Sequence, residues 1–384
     1  MRVPFNLPYI AGKETQYFTT ALESLRHCGN QHFGQRCMEL LKGRYGFLEV
    51  YLTPSCTAAM EMGALLGDLQ AGDEVILPSF TFSSTANAVV LRGARPVFCE
   101  VRKETMNIDV DQIARLVTRK TKMILPIDYA GIPCDIDAIM EIADQYQLVV
   151  MEDAAQSLHS YHSDSRACGS VPPLAAFSFH ETKNVSCGEG GALVVNDPSL
   201  LERASFLQEK GTDRSLVLQG LKSKYNWVDL GSSFLLSDLL SAALLAQLEI
   251  AGDIVQRRQP VLRAYDTLFK SYAEQGCLSL PQLPDGIQHN HHAYFVIFDS
   301  HEHRGQFLDV LREKQVFSYI GYLPLHSSPF GRRLGYQPSD LPVTEDLASR
   351  IVRMPVYTAL AETELDYCLE CVGEALAVLY GQPA

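Results

Sequence analysis

The sequence of 384 residues has no long apolar run, no excess of positive charge and no internal repeat. A membrane-spanning helix needs about 20 consecutive apolar residues, so we expect that nothing crosses a membrane. The first residues, 1–6, also lack the apolar core of a signal peptide, and we expect a cytoplasmic protein. The formal net charge of −13 argues against a broad nucleic-acid surface but leaves room for a local basic pocket that binds a small anion.

The ten cysteines are scattered among segments that are predicted to lie in the hydrophobic core. Free thiols in a reducing compartment are therefore expected rather than a disulfide framework. Cys368 and Cys371 form a CxxC motif, but it lies in a helical pattern with no second cysteine pair nearby. The histidines at 291–292 and 301–303 lack further ligands at metal-binding spacing, so we expect no metal site.

Short β-branched runs alternate with helix-length amphipathic stretches from about residue 48 to residue 195. This alternation predicts an α/β domain with a mostly parallel central sheet and helices on both faces. Two of the predicted helices are 57–69 and 136–146. The predicted strands are 49–53, 74–77, 96–100, 122–127, 148–152, 175–179 and 191–196.

The two ends of the chain follow other patterns. Residues 1–47 indicate an N-terminal arm and two helices, and residues 234–272 indicate a long helical connection. After residue 277 the profile is that of a small α+β domain. Its predicted strands are 293–298 and 316–319, and its predicted helices are 303–314 and 362–380. Because the chain is longer than one core usually serves, we expect a large domain, 1–250, and a small domain, 251–384.

The ends of the predicted strands carry the first candidate site residues, because ligands of open α/β sheets bind at the carboxyl ends of the strands. Asp153 follows strand 148–152, and Lys183 lies just past strand 175–179. A carboxylate that leaves a buried strand is costly unless it meets a cation. Taken singly, the aspartate has an ordinary interpretation as a helix cap and the lysine as a surface residue.

Two other strand ends add an anion site and an aromatic face. The segment 55–59, Ser-Cys-Thr-Ala-Ala, stands at a helix start, where free amides and hydroxyls bind anions, although a simple cap is the common alternative. Phe82 follows strand 74–77 and would be read as a core residue if it stood alone. A lysine, a carboxylate, a phosphate cradle and a flat face are together what pyridoxal 5'-phosphate requires, so we predict this cofactor.

The segments that carry these residues resemble the DegT/DnrJ/EryC1/StrS sugar aminotransferases. The most specific stretches are TPSCTA (53–58), TANA (85–88), EDAAQ (152–156), FSFHETKN (177–184) and GSS (231–233). The resemblance covers essentially the whole chain. It implies the fold type I of aspartate aminotransferase, with the predicted small C-terminal α+β domain. It also implies an active site at the interface of a homodimer.

The resemblance implies a role for each matching residue. Lys183 would form the covalent link to the cofactor, Asp153 would pair with the pyridine nitrogen, and Gln156 would reach the ring hydroxyl. The contacts to the phosphate and to the ring face would come from Thr57, Ala58, Ser178 and Phe82. Ser233 stands where many relatives place an asparagine on the phosphate of the partner subunit's cofactor.

Four more residues are candidates for the sugar nucleotide. Tyr322 and His326 match positions that line the sugar pocket in relatives. Lys210 and Arg214 begin a basic run that is most simply a solvated face, and whose functional reading is a clamp for the diphosphate. The implied reaction transfers the amino group of glutamate to C4 of a dTDP-linked 4-keto-6-deoxyhexose.

Three alternatives remain open from the sequence. The substrate could be a 3-keto sugar or a GDP- or UDP-linked sugar, since the cofactor motifs do not distinguish these. A sugar 3-dehydratase shares the scaffold but carries a histidine in place of the lysine, so Lys183 argues against it. A catalytically idle, cofactor-binding regulatory protein would have no need of Lys183, Asp153 and the basic run together.

Overall fold

The computed structural model, which describes residues 1–381, is built around a seven-stranded sheet. Its strands are β1 (Glu49–Thr53), β2 (Glu74–Pro78), β3 (Arg95–Cys99), β4 (Thr121–Ile124), β5 (Val149–Asp153), β6 (Leu174–Ser178) and β7 (Gly191–Val195). They lie in the order β1-β7-β6-β5-β4-β2-β3, and within this sheet only β7 runs antiparallel to its neighbours. The predicted mostly parallel sheet is confirmed.

Helices cover both faces of this sheet. The helices of this part of the chain are α1 (Glu14–Glu23), α2 (His32–Tyr45), α3 (Cys56–Leu66), α4 (Ser83–Val90), α5 (Val110–Leu116), α6 (Ile136–Tyr146), α7 (Leu201–Gln208), α8 (Arg214–Leu218) and α9 (Asp238–Glu249). Side chains alternate across each strand, so Tyr51 packs in a core with α3 while Val50 and Leu52 pack in another with α2 and α9. The sheet is thus buried on both faces, which explains its long apolar runs.

A second, three-stranded antiparallel sheet lies in the C-terminal part. It consists of β8 (Leu278–Ser279), β9 (Tyr294–Phe298) and β10 (Ile351–Met354) in the order β10-β9-β8. The helices of this part are α10 (Ala251–Glu274), α11 (His301–Glu313), α12 (Pro329–Arg333), α13 (Pro342–Arg350) and α14 (Glu362–Tyr380). Val3 of the N-terminal arm is fully buried in the core of this part, so the arm reaches across the molecule.

Two sequence-based expectations about these elements need correction. The strand predicted at 316–319 is wrong, because Val316 bridges Val3 and Tyr319 bridges Arg353, and these isolated bridges to different partners do not build a ladder. The long helical connection is interrupted between α9 and α10 at Ile250, where φ is −111° and ψ is 20°. Within residues 1–381, no helix is both long enough and apolar enough to cross a bilayer.

The carboxyl ends of β1, β2, β5 and β6 meet at one edge of the large sheet, where α3 and α4 begin. A close approach of Gly191 to the chain before α3 brings the first turn of that helix onto the sheet. A Cβ atom on Gly191 would lie 2.4 Å from the backbone nitrogen of Cys56, so only glycine fits there. This packing positions the start of α3 beside the residues that follow β5 and β6.

Candidate active site

A cavity of about 340 Å³ opens at this edge of the sheet, within the usual range of small-molecule sites. It brings together residues from seven separate segments of the chain. The predicted site residues that line it are Thr57, Phe82, Asp153, Gln156, Ser178, Lys183 and Tyr322. The sheet edge therefore collects most of the residues that the sequence suggested for the cofactor.

Lys183 is partly buried in the wall of the cavity, in the turn that follows β6. Its backbone N–H donates to the carbonyl oxygen of His180 at 2.9 Å, which fixes the turn. Burial lowers the pKa of Lys183 to about 8, an effect that Cys56 and Asp153 oppose. An amine with this pKa is partly neutral near physiological pH and can act as a nucleophile and as a proton carrier.

Asp153 ends β5 with its carboxylate buried beside the cavity. Its Oδ2 accepts a hydrogen bond from the Thr85 hydroxyl at 2.8 Å, and its Oδ1 accepts from the N–H of Ala155 at 3.2 Å. The Thr85 hydroxyl has one hydrogen, so Thr81, 2.8 Å away, must donate to Thr85. Burial raises the pKa of Asp153, and the two hydrogen bonds oppose that rise. The carboxylate is thus held in place for a cation in the cavity.

The starts of α3 and α4 form a polar pocket in the same cavity. The Ser55 hydroxyl accepts from the N–H of Ala58 at 3.1 Å, so the simple helix cap expected as an alternative is present. The Thr57 and Ser84 hydroxyls lie 2.7 Å apart and join the two helix starts. Neither helix has an acidic residue in its first turn, so both positive helix ends are open to an anion.

These contacts change the list of residues that were predicted to bind the cofactor phosphate. Thr57 and Ser178 line the cavity, and Ser84, which was not predicted from the sequence, lines it with them. Ala58 does not line the cavity, and its N–H is already bonded to Ser55. The polar pocket therefore consists mainly of hydroxyl groups at two helix starts.

Phe82 is 59% exposed on the cavity wall, so the structure excludes its alternative interpretation as a core residue. Its ring centroid lies 6.2 Å from that of Tyr322. An exposed aromatic face at the mouth of a polar cavity is suited to stacking on a flat ring.

Gln156 and Tyr322 form the side of the cavity nearest the small sheet. The Gln156 side-chain oxygen accepts from the N–H of Ala130 at 2.9 Å, and its nitrogen donates to the Tyr322 hydroxyl at 3.2 Å. Both side chains are therefore fixed before any ligand binds. Tyr322 lines the cavity as expected from its sequence position.

The structure places His326 elsewhere. Its ring is fully buried outside the cavity wall, with Nδ1 2.7 Å from the Ser79 hydroxyl and Nε2 3.3 Å from a carboxylate oxygen of Glu345. In this position it does not line a sugar pocket, contrary to expectation. Its contacts instead connect the end of β2 to α13.

The residues proposed for the diphosphate also lie outside the cavity of their own chain. Lys210 and Arg214 both approach the carboxylate of Glu209, at 3.8 and 3.4 Å. Ser233 is exposed and forms a backbone bridge with Glu209. Within a single chain, the basic run is therefore a solvated face that is neutralised locally.

Arg353, which β10 brings to the lysine, is not among the residues predicted from the sequence. It lines a second cavity of about 110 Å³ together with Lys183 and Tyr322. Its Nε is buried without a hydrogen-bond partner among residues 1–381. Its guanidinium packs 5.4 Å from the ring centroid of Phe5 and 5.9 Å from that of Tyr129. The one signal in the sequence is a single arginine inside the apolar run Ile351–Met354.

The family model described as the DegT/DnrJ/EryC1/StrS aminotransferase family matches residues 9–373. The chain belongs to this family. The predicted enzyme class, a pyridoxal-phosphate-dependent sugar aminotransferase of fold type I, and the predicted cofactor are thereby confirmed.

Similar proteins match between 83% and 98% of the chain. The spore coat polysaccharide biosynthesis protein SpsC of Bacillus subtilis is 30% identical over 96% of both chains. The dTDP-4-dehydro-2,3,6-trideoxy-D-glucose 4-aminotransferase of Saccharopolyspora spinosa is 32% identical over 83% of this chain and 82% of its own. The crystal structure of NtdA from B. subtilis with bound PMP superposes with a TM-score of 0.86, at 25% identity, over 98% of this chain and 85% of its own.

Proposed function

We propose that this aminotransferase moves the amino group of glutamate to C4 of dTDP-4-keto-6-deoxyglucose and forms dTDP-4-amino-4,6-dideoxygalactose. The observation that carries the proposal is one cavity that holds an amine of lowered pKa, a fixed carboxylate and two open helix starts. The choice of sugar rests on resemblance. The segments 53–58 and 177–184 are most like those of the transaminase that makes this product for enterobacterial common antigen.

The side chains of the cavity fit pyridoxal phosphate. Asp153 would face its pyridine nitrogen, Phe82 would stack on its ring, and Gln156 would reach its hydroxyl. The hydroxyls of Thr57 and Ser178, with the starts of α3 and α4, would hold the phosphate. When bound, the cofactor withdraws electrons from the carbon that gains or loses the amino group.

The chain's own residues supply the acid–base chemistry. Lys183 would hold the cofactor and, once released, move the α-proton of the donor to the cofactor. In the second half-reaction it would move a proton from the cofactor to C4 of the sugar, because its lowered pKa permits both protonation states. Asp153 would keep the pyridine nitrogen protonated, since its two hydrogen bonds favour the ionised carboxylate. A 3-dehydratase would lack such a lysine, so Lys183 favours amino transfer.

Arg353 supports a carboxylate-bearing amino donor such as glutamate. Arg353 lines the second cavity together with Lys183, and its guanidinium packs on the aromatic rings of Phe5 and Tyr129. A guanidinium binds a carboxylate with two parallel hydrogen bonds. Arg353 would therefore place the α-carbon of glutamate within reach of the lysine amine.

A homodimer would bring the remaining predicted residues to a cofactor. The segment 209–233, called here the bridging segment, carries Lys210, Arg214 and Ser233. It also exposes large apolar side chains, namely Leu218, Leu221, Tyr225, Trp227, Val228 and Leu230. Several exposed large apolar side chains in one segment are typical of a protein interface. We propose that the bridging segment of one subunit reaches the cavity of its partner, with Ser233 at the phosphate and the two basic residues at the diphosphate.

Two further features of the proposal concern organisation and setting. The division into residues 1–250 and 251–384 is supported by the helix break at Ile250 and by the separate sheet after it. Action in the cytoplasm, in the synthesis of common antigen or lipopolysaccharide sugars, agrees with a nucleotide-linked substrate.

Identification of the reaction product tests the proposed substrate and the proposed configuration at C4. The purified enzyme is incubated with glutamate and dTDP-4-keto-6-deoxyglucose, and in parallel with 3-keto, GDP-linked and UDP-linked sugars. We expect turnover of the first substrate alone and an NMR spectrum with an axial amino group at C4. An equatorial amino group, preference for another sugar, or no exchange of glutamate for 2-oxoglutarate would refute the specific assignment, and the last result would favour the idle regulatory protein.

A further inference from the structure

A second group of reactive side chains lies behind the strand that carries Asp153. Successive side chains of a strand point to opposite faces, so Glu152 projects away from the cofactor cavity. Donor atoms of Glu152, His162 and Cys168 all lie within 4.8 Å of one another, and those of Asp128, Cys134 and Glu152 do the same. All five side chains are buried.

Three atoms of this cluster have no hydrogen-bond partner among residues 1–381. They are Oδ2 of Asp128, Oε1 of Glu152 and Nε2 of His162. The other carboxylate oxygens are bonded, since Asp128 Oδ1 accepts from the N–H of Cys134 at 2.9 Å and Glu152 Oε2 accepts from the N–H of Gly169 at 3.0 Å. Each carboxylate thus keeps one oxygen directed into the cluster. Two buried carboxylates that face each other need a cation or a shared proton.

We propose that this cluster is a structural zinc site, with Glu152, His162 and Cys168 as ligands and Cys134 or Asp128 in the fourth position. Carboxylate oxygen, imidazole nitrogen and thiolate sulfur are the donors that zinc takes in proteins. The ligand atoms of a tetrahedral zinc ion lie about 3.3 to 3.8 Å apart, so each pair of donor atoms, now within 4.8 Å, needs to close by about 1.5 Å at most. The ion would supply the positive charge that faces the two carboxylates.

A path for the ion leads to the cluster from the surface. Cys134 and His162 also line a cavity of about 330 Å³ on the far side of the sheet from the cofactor. Its wall carries Asp135 and Asp285, which attract a hydrated cation. The two arginines in this wall already pair with carboxylates, Arg102 with Asp109 and Arg166 with Asp137. The site is therefore reachable after folding.

The position of the site indicates a supporting role. The ligands connect β5, through Glu152, to the loop that carries His162 and Cys168. That connection would hold in place the strand that presents Asp153 to the cofactor cavity. The metal itself lies outside that cavity, so it is a positioning element and takes no part in amino transfer.

Metal analysis of the intact holoenzyme tests the proposal. The protein is produced without a histidine tag, freed of loosely bound ions by gel filtration, and analysed by mass spectrometry for metals. We expect stoichiometric zinc that a strong chelator removes only slowly, with a lower melting temperature after removal. Cys168→Ser should lose the zinc, whereas Cys99→Ser, which changes another buried free cysteine, should retain it.

Cobalt substitution keeps the test decisive if Cys168→Ser fails to fold. Wild-type protein in which Co²⁺ replaces zinc should show an intense thiolate-to-cobalt absorption band and tetrahedral ligand-field bands. A protein without stoichiometric metal, whose melting temperature does not rise with added Zn²⁺ and which gives no thiolate band with Co²⁺, would overturn the proposal. In that case a proton shared by Asp128 and Glu152 fills the cluster instead.

Discussion

At the scale of single residues, the chemistry of the site comes from partial burial of polar groups that face one another. The amine of Lys183 is desolvated, which lowers its pKa, while the carboxylate of Asp153 is desolvated but held by two hydrogen bonds. Arg353 adds a cation. Its buried Nε has no hydrogen-bond partner among residues 1–381.

The buried lysine makes the stability of the cofactor-free protein depend on pH. Its folded pKa of about 8 lies below its usual value of 10.5, so between these values the unfolded chain holds a proton that the folded chain has released. The free energy of unfolding of the wild type therefore rises with pH across this window, by about 3 kcal/mol in total. Lys183→Met lacks this dependence and should be the more stable form below pH 8.

Denaturant titrations of both cofactor-free proteins between pH 7 and pH 10 measure this difference. The advantage of Lys183→Met should shrink steadily as the pH rises. Lys224→Met, which removes an exposed lysine, should follow the wild type at every pH. Parallel curves for wild type and Lys183→Met would mean that the amine is not desolvated.

Arg353→Met should slow the half-reaction with glutamate and leave the half-reaction with the keto-sugar nearly unchanged. The methionine keeps much of the packing against Phe5 and Tyr129 but cannot bind a carboxylate. We expect kcat/KM for glutamate to fall roughly 10- to 100-fold, the usual value of a charge-assisted hydrogen bond, and the half-reaction with the keto-sugar to change little. Single-turnover kinetics of each half-reaction give the two values.

A matched control is Arg2→Met, because Arg2 also packs on an aromatic ring, 5.4 Å from the centroid of Phe317. It should leave both half-reactions unchanged. If Arg353→Met slowed both half-reactions equally, the arginine would be a structural residue rather than the site of the donor carboxylate.

Sequence reasoning found the residues that follow strands in a recognisable order, and it missed or misplaced those that depend on contacts between distant segments. Lys183 and Asp153 could be predicted because parallel strands end at one edge of a sheet. Arg353 comes from the second sheet, and its approach to the lysine depends on how the two parts pack. His326 was expected at the cavity, but its hydrogen bond to Ser79 turns its ring into the interior.

At the scale of elements, α3 positions residues of the cavity, and the bridging segment is proposed to complete the cavity of a partner subunit. Helix α3 begins at the sheet edge because Gly191 permits a close backbone approach, a contact that no sequence pattern reveals. The bounds of β1 and α6 could be predicted to the residue, since a short buried-strand run identifies β1 and a period of 3.6 with clear end signals identifies α6. The strand expected at 316–319 failed because edge pairing depends on partners far along the chain.

The bridging segment contains the only tryptophan of the chain, Trp227, which is 79% exposed in a single subunit. If this segment forms the dimer interface, dimerisation buries the indole ring and shifts its emission to shorter wavelength. We expect the shift to reverse on dilution, at the concentration where sedimentation shows dissociation into single chains.

Leu221→Asp should weaken the dimer by about tenfold or more, because it places a charge in a buried apolar contact. Val378→Asp changes a side chain of similar exposure on α14 and serves as the control. An unchanged dimer in Leu221→Asp, or a tryptophan emission that does not depend on concentration, would place the interface elsewhere.

At the scale of the whole molecule, α10 joins the two sheets, and Arg258 on this helix anchors it. The guanidinium donates to the carbonyl oxygens of His291, His292 and Val356, at 2.9, 2.6 and 3.0 Å. Burial lowers the pKa of Arg258 to about 9, with the charge of Arg353 contributing. The three hydrogen bonds fix the chain segments that flank the small sheet.

Arg258→Met should destabilise the protein by roughly 2 kcal/mol or more, because it leaves three buried carbonyl groups without donors. Arg257→Met, one residue earlier on the exposed face of α10, should change stability by less than about 0.5 kcal/mol. Thermal and denaturant unfolding measure both variants. Equal effects would show that the three hydrogen bonds of Arg258 contribute little to stability.

The covalent attachment point of the cofactor tests the central claim most directly. The holoenzyme is reduced with sodium borohydride, digested, and analysed by mass spectrometry for peptides that carry the pyridoxyl group. The structure predicts a single labelled lysine, Lys183, because its amine lines the cavity that also presents Asp153. A label on any other lysine of an active preparation would contradict this account of the active site.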